Sequence, residues 1–464
     1  MLYASPTFCD GAYLFLHGPQ GVDASITHES KIMEEQLRKQ ISRLIHNEVV
    51  LATGCTEPGA VALCVAKAKE ILGREPEHVK VLLSKNVYKN AMGVGIPGTG
   101  MIGLPIAVAV AVVAGDSSRQ LEVLTVPVEK VEEAKKWLAN NASRIEIAVK
   151  DDCDKLYAEC VCTAGGDKSV AIISHRHTEF VYLARNNEVL QNSMAEDVPQ
   201  QSQARAGEKR TSLGSAKLTA RLVYDYATTA PLEELEFIYD TVRVNEKVSA
   251  VGLEGYGLCT GKILMENAKG DLVHTVVART VAASDARMDG CVLPVFSNSG
   301  SGNQGICCTL PVYSYGKEKG CSHEQIVRAL ILNHLMSIYI KSGIGRLSAL
   351  CGIVNASIGV ACGIVYLHGG GFERMCYAVK NMINTLAGMV CDGAKPSCAL
   401  KMSTGLYSAF VSAELAYQGH VVDATDGLSE GDVDCSVRNL GRLGHDGMDE
   451  VDDTILDIMT HKKN

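Results

Sequence analysis

The sequence predicts an α+β protein with a mainly α-helical core and a small inserted α+β unit. Three observations support this fold class. Glycine is abundant, with 44 residues, and aromatic residues make up only 5% of the chain, which favours closely packed helices over an aromatic-rich sandwich. Strand-like runs are concentrated between residues 120 and 190. From residue 280 onward, Ala, Gly and Ile form helical patterns separated by glycine loops.

The chain of 464 residues is long enough for two or three structural units. Changes in composition predict the following segments: an irregular extension at 1–30, the N-terminal part of the helical core at 31–115, the inserted α+β unit at 116–190, a flexible polar linker at 191–217, and a C-terminal helical domain at 218–464.

The spacing of apolar residues predicts the individual elements. Helices are predicted at 31–53 and 58–72, an extended stretch at 79–83, a glycine-rich loop at 93–103 and a buried helix at 104–114. The inserted unit is predicted to hold strands at 121–126, 144–149, 156–163, 170–175 and 179–184 around a helix at 128–140. Further helices are predicted at 326–342, 348–367, 372–386 and 399–417.

Charge and hydropathy exclude several classes of protein. The net charge of −9 and the absence of a long basic run argue against nucleic-acid binding, which needs clustered Lys and Arg. The apolar run at 104–114 is shorter than the roughly 20 residues of a membrane helix. The first 30 residues lack the pattern of a signal peptide. We therefore expect a cytoplasmic protein whose 17 cysteines are reduced thiols or metal ligands.

Three cysteines of the C-terminal part, Cys351, Cys391 and Cys398, are candidate ligands of a metal cluster. Their spacing matches neither a zinc ribbon nor a ferredoxin, and spacing alone favours buried thiols at glycine-rich helix ends. The local sequence favours a cluster, because Gly352, Gly393 and neighbouring residues keep the backbone irregular, so that loop N–H groups can bond to cluster sulfides.

Cys55 is a second candidate, since it lies between two predicted helices. A thiol at the start of a helix can have its pKa lowered by the helix dipole, which would give a base or a nucleophile. The alternative is an inert core cysteine like the nearby Cys64.

Two glycine-rich loops offer polar groups to a substrate. The run Phe-Ser-Asn-Ser-Gly-Ser-Gly-Asn-Gln-Gly at 296–305 suits a carboxylate or an amino group but lacks the ending of a P-loop. The run 86–90 and the Pro-Gly-Thr-Gly at 97–100 add further polar groups. Ordinary surface loops are the alternative for both. The candidate substrate contacts are Ser297, Asn298, Ser299, Asn303, Asn86 and Thr99.

Several motifs together resemble the L-cysteine desulfidase family, which is related to the α chain of iron–sulfur L-serine dehydratases. The resemblance covers roughly residues 31–464 and is carried by Gly-Cys-Thr-Glu-Pro at 54–58, Asn-Val-Tyr-Lys-Asn at 86–90, Gly-Ile-Pro-Gly-Thr-Gly at 95–100, the loop 297–305, Gly-Arg-Leu-Ser-Ala-Leu-Cys-Gly at 345–352, the segment 391–401 and the tail 439–459. The extension before residue 31 and the polar stretch 191–217 look longer than the family pattern requires.

The resemblance implies an oxygen-sensitive 4Fe–4S cluster held by Cys351, Cys391 and Cys398, which would make 218–464 the cluster-binding catalytic domain. It also implies a base at Cys55 and a β-elimination without pyridoxal phosphate, with the iron left open to substrate serving as a Lewis acid. L-Cysteine would yield hydrogen sulfide, pyruvate and ammonia.

Two other functions stay open on the sequence. An iron–sulfur L-serine dehydratase differs in the leaving group, and a non-enzymatic zinc or redox-sensing protein would use the same cysteines. For the enzyme, we expect a small amino acid as the substrate, with no nucleic-acid or membrane partner. A homo-oligomer is compatible with the sequence.

Overall fold

The computed structural model describes residues 33–194, 218–345 and 347–462. The predicted extension at 1–30 lies outside these residues, and so does the predicted linker apart from 191–194. The described chain is mainly helical with one mixed sheet and one small two-stranded sheet, which confirms the predicted α+β class.

The N-terminal part holds helices α1–α5 and strands β1–β7. The helices are α1 Glu35–Glu48, α2 Thr56–Leu72, α3 Lys85–Ala91, α4 Leu104–Ala114 and α5 Val128–Asn141. The strands are β1 Leu51–Ala52, β2 His78–Leu83, β3 Ile145–Val149, β4 Tyr157–Ala164, β5 Asp167–Ser174, β6 Phe180–Arg185 and β7 Glu188–Asn192.

The C-terminal part is helical apart from strand β8 Val295–Phe296. Its helices are α6 Ala220–Thr229, α7 Leu232–Leu235, α8 Tyr239–Gly255, α9 Thr260–Asn267, α10 Leu272–Met288, α11 Gly302–Glu318, α12 His323–Ile344, α13 Gly352–Leu367, α14 Phe372–Leu386, α15 Cys398–Gln418, α16 Val433–His445 and α17 Asp449–Thr460. In the part of the chain that the structure describes, no helix is both long and apolar enough to span a membrane.

The larger sheet has the strand order β3-β2-β4-β5-β6-β7. Strand β2 pairs in parallel with β3, with Val79 opposite Ile145, and antiparallel with β4. One strand of this sheet therefore comes from before residue 116 and the rest from after it. The division of the chain into the segments 31–115 and 116–190 stays a prediction.

The predicted strand at 121–126 is wrong. A short 3-10 helix at Ser117–Glu122 takes its place, and Asp116 caps it by accepting a hydrogen bond from the Ser118 amide at 2.9 Å. The apolar residues there pack on helix α2, where Leu121 lies against Gly59, and pair with no neighbouring strand. Strand β7 was not predicted because its residues are almost all exposed and show no apolar alternation.

Two hydrophobic cores form on either side of the site described below. The first is built by α1 and the C-terminal helices, and the second by α2, α4 and the inner face of the larger sheet. Strands β1 and β8 join the two parts as an antiparallel pair, with Leu51 opposite Phe296. This pairing brings the segment before Cys55 alongside the loop that starts at Ser297.

Candidate active site

Helix N-termini meet between the two cores. Cys55 is the N-cap of α2, Ser301 of α11 and Cys351 of α13, while Cys398 is the first residue of α15. The Thr56 hydroxyl donates to the Gly300 carbonyl at 3.0 Å, which joins the starts of α2 and α11. N-terminal ends carry partial positive charge and free N–H groups, so this arrangement favours anions.

The three candidate ligand cysteines come together at the starts of α13 and α15. Two backbone hydrogen bonds join the loops that carry Cys351 and Cys391. The Cys351 amide donates to the Met389 carbonyl at 3.0 Å, and the Cys391 amide donates to the Ala349 carbonyl at 2.6 Å. The thiols of Cys351 and Cys391 are hydrogen-bonded, and the charge of Cys391 also acts on Cys398. Thus residues 40 and 7 apart along the sequence share one environment, and their role as cluster ligands stays a prediction.

Cys391 carries the most acidic of these thiols. A hydrogen bond from Cys351, followed by the positive charges of Lys89 and Lys401, lowers the pKa of Cys391 to about 6. The same hydrogen bond and burial raise the pKa of Cys351, and burial raises the pKa of Cys398. The lowered pKa of Cys391 favours its thiolate, which is the form that coordinates iron or zinc.

A buried ion pair lies against the loop that carries Cys391 and leads to Cys398, called the cysteine loop below. Lys89 on α3 is 2% exposed, pairs with Asp452 on α17, and donates to the Cys391 carbonyl at 3.0 Å. Asn86 donates to the second oxygen of Asp452 at 2.9 Å. The side-chain amide of Asn86 thus helps to hold this ion pair in place, and its contact with substrate stays a prediction. The sequence pointed to the segment 86–90 but not to its partner Asp452.

Cys55 is buried and bonded to a carboxylate. Its thiol donates to Glu57 Oε2 at 3.1 Å, and Asn90 donates to the other carboxylate oxygen at 3.0 Å. Burial, and then the negative charge of Glu57, raise the pKa of Cys55, while the positive charge of Arg287 opposes them. The direction is opposite to the lowering expected from the helix dipole alone, because loss of hydration outweighs the dipole.

Glu57 stays ionised although it is buried. Burial alone would raise its pKa, but the positive charge of His177 and the hydrogen bonds from Cys55 and Asn90 lower it. His177 lies after strand β5 and is 8% exposed, so the larger sheet contributes a residue to the surroundings of Cys55.

Arg287, on helix α10, was not predicted from the sequence. Its guanidinium donates to the Gly54 carbonyl at 2.8 Å and to Asn303 Oδ1 at 3.2 Å. Arg287 therefore connects the residue before Cys55 with the start of α11. The available signal was an Asp-Ala-Arg sequence inside a helix whose other buried residues from 276 to 288 are small or apolar.

The serine and asparagine side chains of the loop 297–303 form hydrogen bonds with one another and with neighbouring segments of the protein. Ser297 donates to the Val50 carbonyl at 2.8 Å. Asn298 accepts from Ser299 at 2.9 Å and from Gln304 at 2.8 Å. The loop thus lies beside the start of α2, where Thr56 donates to the Gly300 carbonyl, and these hydrogen bonds fix its shape. Its role in binding substrate stays a prediction.

Thr99, the remaining predicted substrate contact, forms hydrogen bonds within its own turn. Its hydroxyl donates to the Ile96 carbonyl at 2.8 Å and accepts from the Met101 amide at 3.0 Å. The turn itself lies near the site, because a Cβ on Gly54 would come within 2.6 Å of Pro97.

Gln304 links the two halves of the site. Its amide nitrogen donates to Asn298, while its buried Oε1 has no hydrogen-bond partner. That oxygen lies 2.9 Å from where a Cβ on Gly352 would be, next to Cys351. The Cys55 half and the cysteine-loop half are therefore in contact through the start of α11.

The cysteine loop offers the thiol donors that an iron–sulfur cluster takes. Among the described residues, no three His, Cys, Asp or Glu side chains are grouped so as to hold one metal ion. In an iron–sulfur cluster each thiolate binds a different iron, so its ligands need not converge on one point. The three thiols, the helix N-termini and the flanking Lys89 and Lys401 fit an anionic group of that kind.

The sequence was compared with families and curated proteins. A family model described as serine dehydratase alpha chain matches residues 19–457. A UPF0597 protein of Bacteroides fragilis is 53% identical over 439 residues, which cover 93% of this chain and 100% of that protein. A UPF0597 protein of Oleidesulfovibrio alaskensis is 43% identical over 427 residues, 90% of this chain and 97% of its own length. The chain belongs to the serine dehydratase alpha chain family, which indicates a lyase acting on a small molecule.

Proposed function

We propose that the protein is an L-cysteine desulfidase, a lyase that converts L-cysteine to hydrogen sulfide, pyruvate and ammonia by β-elimination. The observation that carries this proposal is the arrangement of thiols: a group of three beside a fourth, Cys55, which is hydrogen-bonded to its own carboxylate at 3.1 Å. Family membership supports the elimination of a β-substituent from an amino acid.

Cys351, Cys391 and Cys398 would hold a 4Fe–4S cluster. When bound, the cluster supplies a Lewis acid for the substrate and its leaving group. The chain's own contribution is a preformed thiolate at Cys391 and positive charge from Lys89 and Lys401, which offsets the negative charge of the thiolates. The loops before α13 and α15 also bring backbone N–H groups close to the sulfur atoms.

Cys55 is the proposed base. Its proton lies on the hydrogen bond to Glu57, so transfer to that carboxylate would leave a thiolate that Arg287 stabilises. The transfer is uphill in the free protein, because the pKa of Cys55 is raised and that of Glu57 is lowered. The thiolate then takes the α-proton of the substrate while the Cβ–S bond breaks. The resulting aminoacrylate hydrolyses to pyruvate and ammonia.

L-Serine dehydration is the second candidate, because the matching family model is named for it. The two reactions share the α-proton, the carboxylate and the products pyruvate and ammonia. They differ in whether sulfide or water leaves. The Gly-Cys-Thr-Glu-Pro motif at 54–58, part of the resemblance to the desulfidases, favours L-cysteine.

The decisive experiment measures both substrates on one preparation. The protein is purified anaerobically, reconstituted with iron and sulfide, freed of excess sulfide, and incubated with L-cysteine or L-serine. We expect equal amounts of sulfide and pyruvate from L-cysteine and a lower kcat/KM for pyruvate release from L-serine. A higher kcat/KM for L-serine would identify the dehydratase. No pyruvate from either substrate, with iron bound, would contradict both functions.

A further inference from the structure

Arg287 is a buried cation in the middle of the site. It lies in the last turn of α10 and is 4% exposed. It forms no ion pair with an Asp or Glu of the described residues, and its two hydrogen bonds go to neutral oxygens, the Gly54 carbonyl and Asn303 Oδ1. A buried charge without an opposite charge is strongly unfavourable, so such a residue indicates a missing anion.

The hydrogen-bonding capacity of the guanidinium is mostly unused. Arginine has five N–H donors, of which Arg287 uses one on each terminal nitrogen, and Nε has no partner although it is buried. Unsatisfied buried donors are rare in folded proteins, and at a polar site they mark a place for a ligand or water. The unused donors suit the two oxygens of a carboxylate, which arginine binds in a fork.

The start of helix α11 lies directly against this side chain. A Cβ on Gly302, the first residue of α11, would come within 2.3 Å of Arg287 Nε. The helix has 17 residues, and the side chain of its N-cap Ser301 accepts a hydrogen bond from the Gln304 amide. The helix end and the guanidinium therefore present positive charge to the same space, close to Cys55.

We propose that Arg287, together with the N-terminal end of α11, binds the α-carboxylate of the substrate. The identity of the ligand as an amino acid rests on the proposed function. The anion site itself is inferred from the burial and the hydrogen bonds of Arg287. Binding the carboxylate here places the amino acid between Cys55 and the loop that leads to Cys351. Arg287 then determines specificity for the acid over its amide.

The test measures binding, with ligands that the enzyme cannot turn over. L-Alanine has no β-leaving group, so its affinity and that of L-alaninamide are measured by titration calorimetry on the anaerobic, iron-loaded protein. Propionate and propionamide repeat the comparison without an amino group. We expect the wild-type protein to prefer each carboxylate over its amide by about 10- to 100-fold, as for hydrogen bonds between charged groups.

Two variants remove the site in different ways. Arg287→Gln takes away the charge, and Gly302→Ala keeps it but displaces the guanidinium through the 2.3 Å contact. Both should bring the ratio of carboxylate to amide affinity close to one. Arg279→Gln is the control, since Arg279 lies on the same helix but is exposed and pairs with Glu318 at 3.1 Å. It should leave the ratio unchanged. Circular dichroism and the melting temperature show which variants fold.

The outcomes separate this inference from the proposed function. An unchanged carboxylate preference in the folded variants overturns the inference. So does a result in which Arg287→Gln only shifts the pH profile of turnover, because the guanidinium would then act through Cys55 alone. If propionate binding depends on Arg287 but neither L-cysteine nor L-serine is converted, the anion site stands and the proposed function fails.

Discussion

Two groups of three cysteines lie in this protein, in very different surroundings. Cys351, Cys391 and Cys398 sit at loops and helix N-termini between the two cores. Cys64, Cys160 and Cys162 lie inside the core of the larger sheet, on α2 and β4, and each is 0% exposed. The sulfur atoms of Cys160 and Cys162 are 3.7 Å apart.

The difference lies in the charges and the backbone around the thiols. In the sheet group, burial raises the pKa of Cys64 and of Cys160, and the charge of Cys162 raises both further. In the site group, Lys89 and Lys401 help to lower the pKa of Cys391 to about 6. Proximity alone therefore does not make a ligand set. Positive charge and an irregular backbone at a helix end distinguish the candidate ligand cysteines from the sheet group.

The largest expected effect separates the two groups directly. Cys391→Ala should abolish iron binding, visible absorption and turnover together, since it removes the preformed thiolate. Cys160→Ala should keep all three and cost about 1 kcal/mol of the free energy of unfolding, as an ordinary core substitution does. Iron content, absorbance and denaturant unfolding check this. Loss of iron in Cys160→Ala with iron retained in Cys391→Ala would reverse the assignment.

The next effect concerns Cys55. Its thiol is buried like those of the sheet group, but it lies at a helix N-terminus like those of the site group. Cys55→Ala should keep the iron and its absorption but lower kcat by about 10²- to 10⁴-fold, the usual contribution of a general base. Cys64→Ala, on the same helix, is the matched control and should retain the rate. Full activity in Cys55→Ala would show that another group takes the α-proton.

The third prediction concerns the free energy of unfolding and the ion pairs next to the cysteine loop. Helices α3 and α17 are joined by two ion pairs, the buried Lys89–Asp452 and the exposed Lys85–Asp453 at 2.8 Å. Lys89→Met leaves a buried carboxylate unpaired and should cost about 3–5 kcal/mol of the free energy of unfolding. Lys85→Met should cost about 1 kcal/mol or less.

A double variant separates lost pairing from lost packing. Adding Asp452→Leu to Lys89→Met removes the unpaired charge and should recover part of the loss, measured by denaturant unfolding. Equal costs for Lys89→Met and Lys85→Met would mean that burial does not distinguish the two ion pairs.

The smallest effect is a pH dependence on the other side of the cysteine loop. Burial raises the pKa of Asp285 to about 6, and its carboxylate accepts the Gly261 amide at 2.8 Å. The folded protein then binds a proton more tightly than the unfolded chain, where the pKa is about 3.9. This contribution to stability is complete below about pH 4 and is lost as the pH rises through about 6.

Asp285→Asn should remove that part of the pH dependence. The exposed Asp289, whose carboxylate accepts the Gly257 amide at 3.1 Å, provides the control Asp289→Asn. Unfolding free energies between pH 4 and pH 8 test this. An identical pH profile in Asp285→Asn and the wild type would contradict it.

Local patterns were sufficient for most elements, whereas the choice of cluster cysteines depended on the family resemblance and stays a prediction. The predicted helices at 104–114 and 372–386 have the bounds found in the structure, because long apolar or amphipathic runs bounded by glycine specify a helix locally. The strand predicted at 121–126 failed because a short apolar run fits either a strand or a turn packed on a neighbouring helix.

The sequence by itself thus determined the fold class, the order of most helices and the loops that carry the candidate site. Only the tertiary structure decided which charges surround each thiol. Glu57 meets Cys55 and His177, and Lys89 meets Asp452 across 363 residues, because separate elements pack together there. Arg287 became a candidate substrate-binding residue for the same reason. Hydrophobic periodicity acts over a few residues, whereas burial and charge pairing depend on what the fold brings into contact.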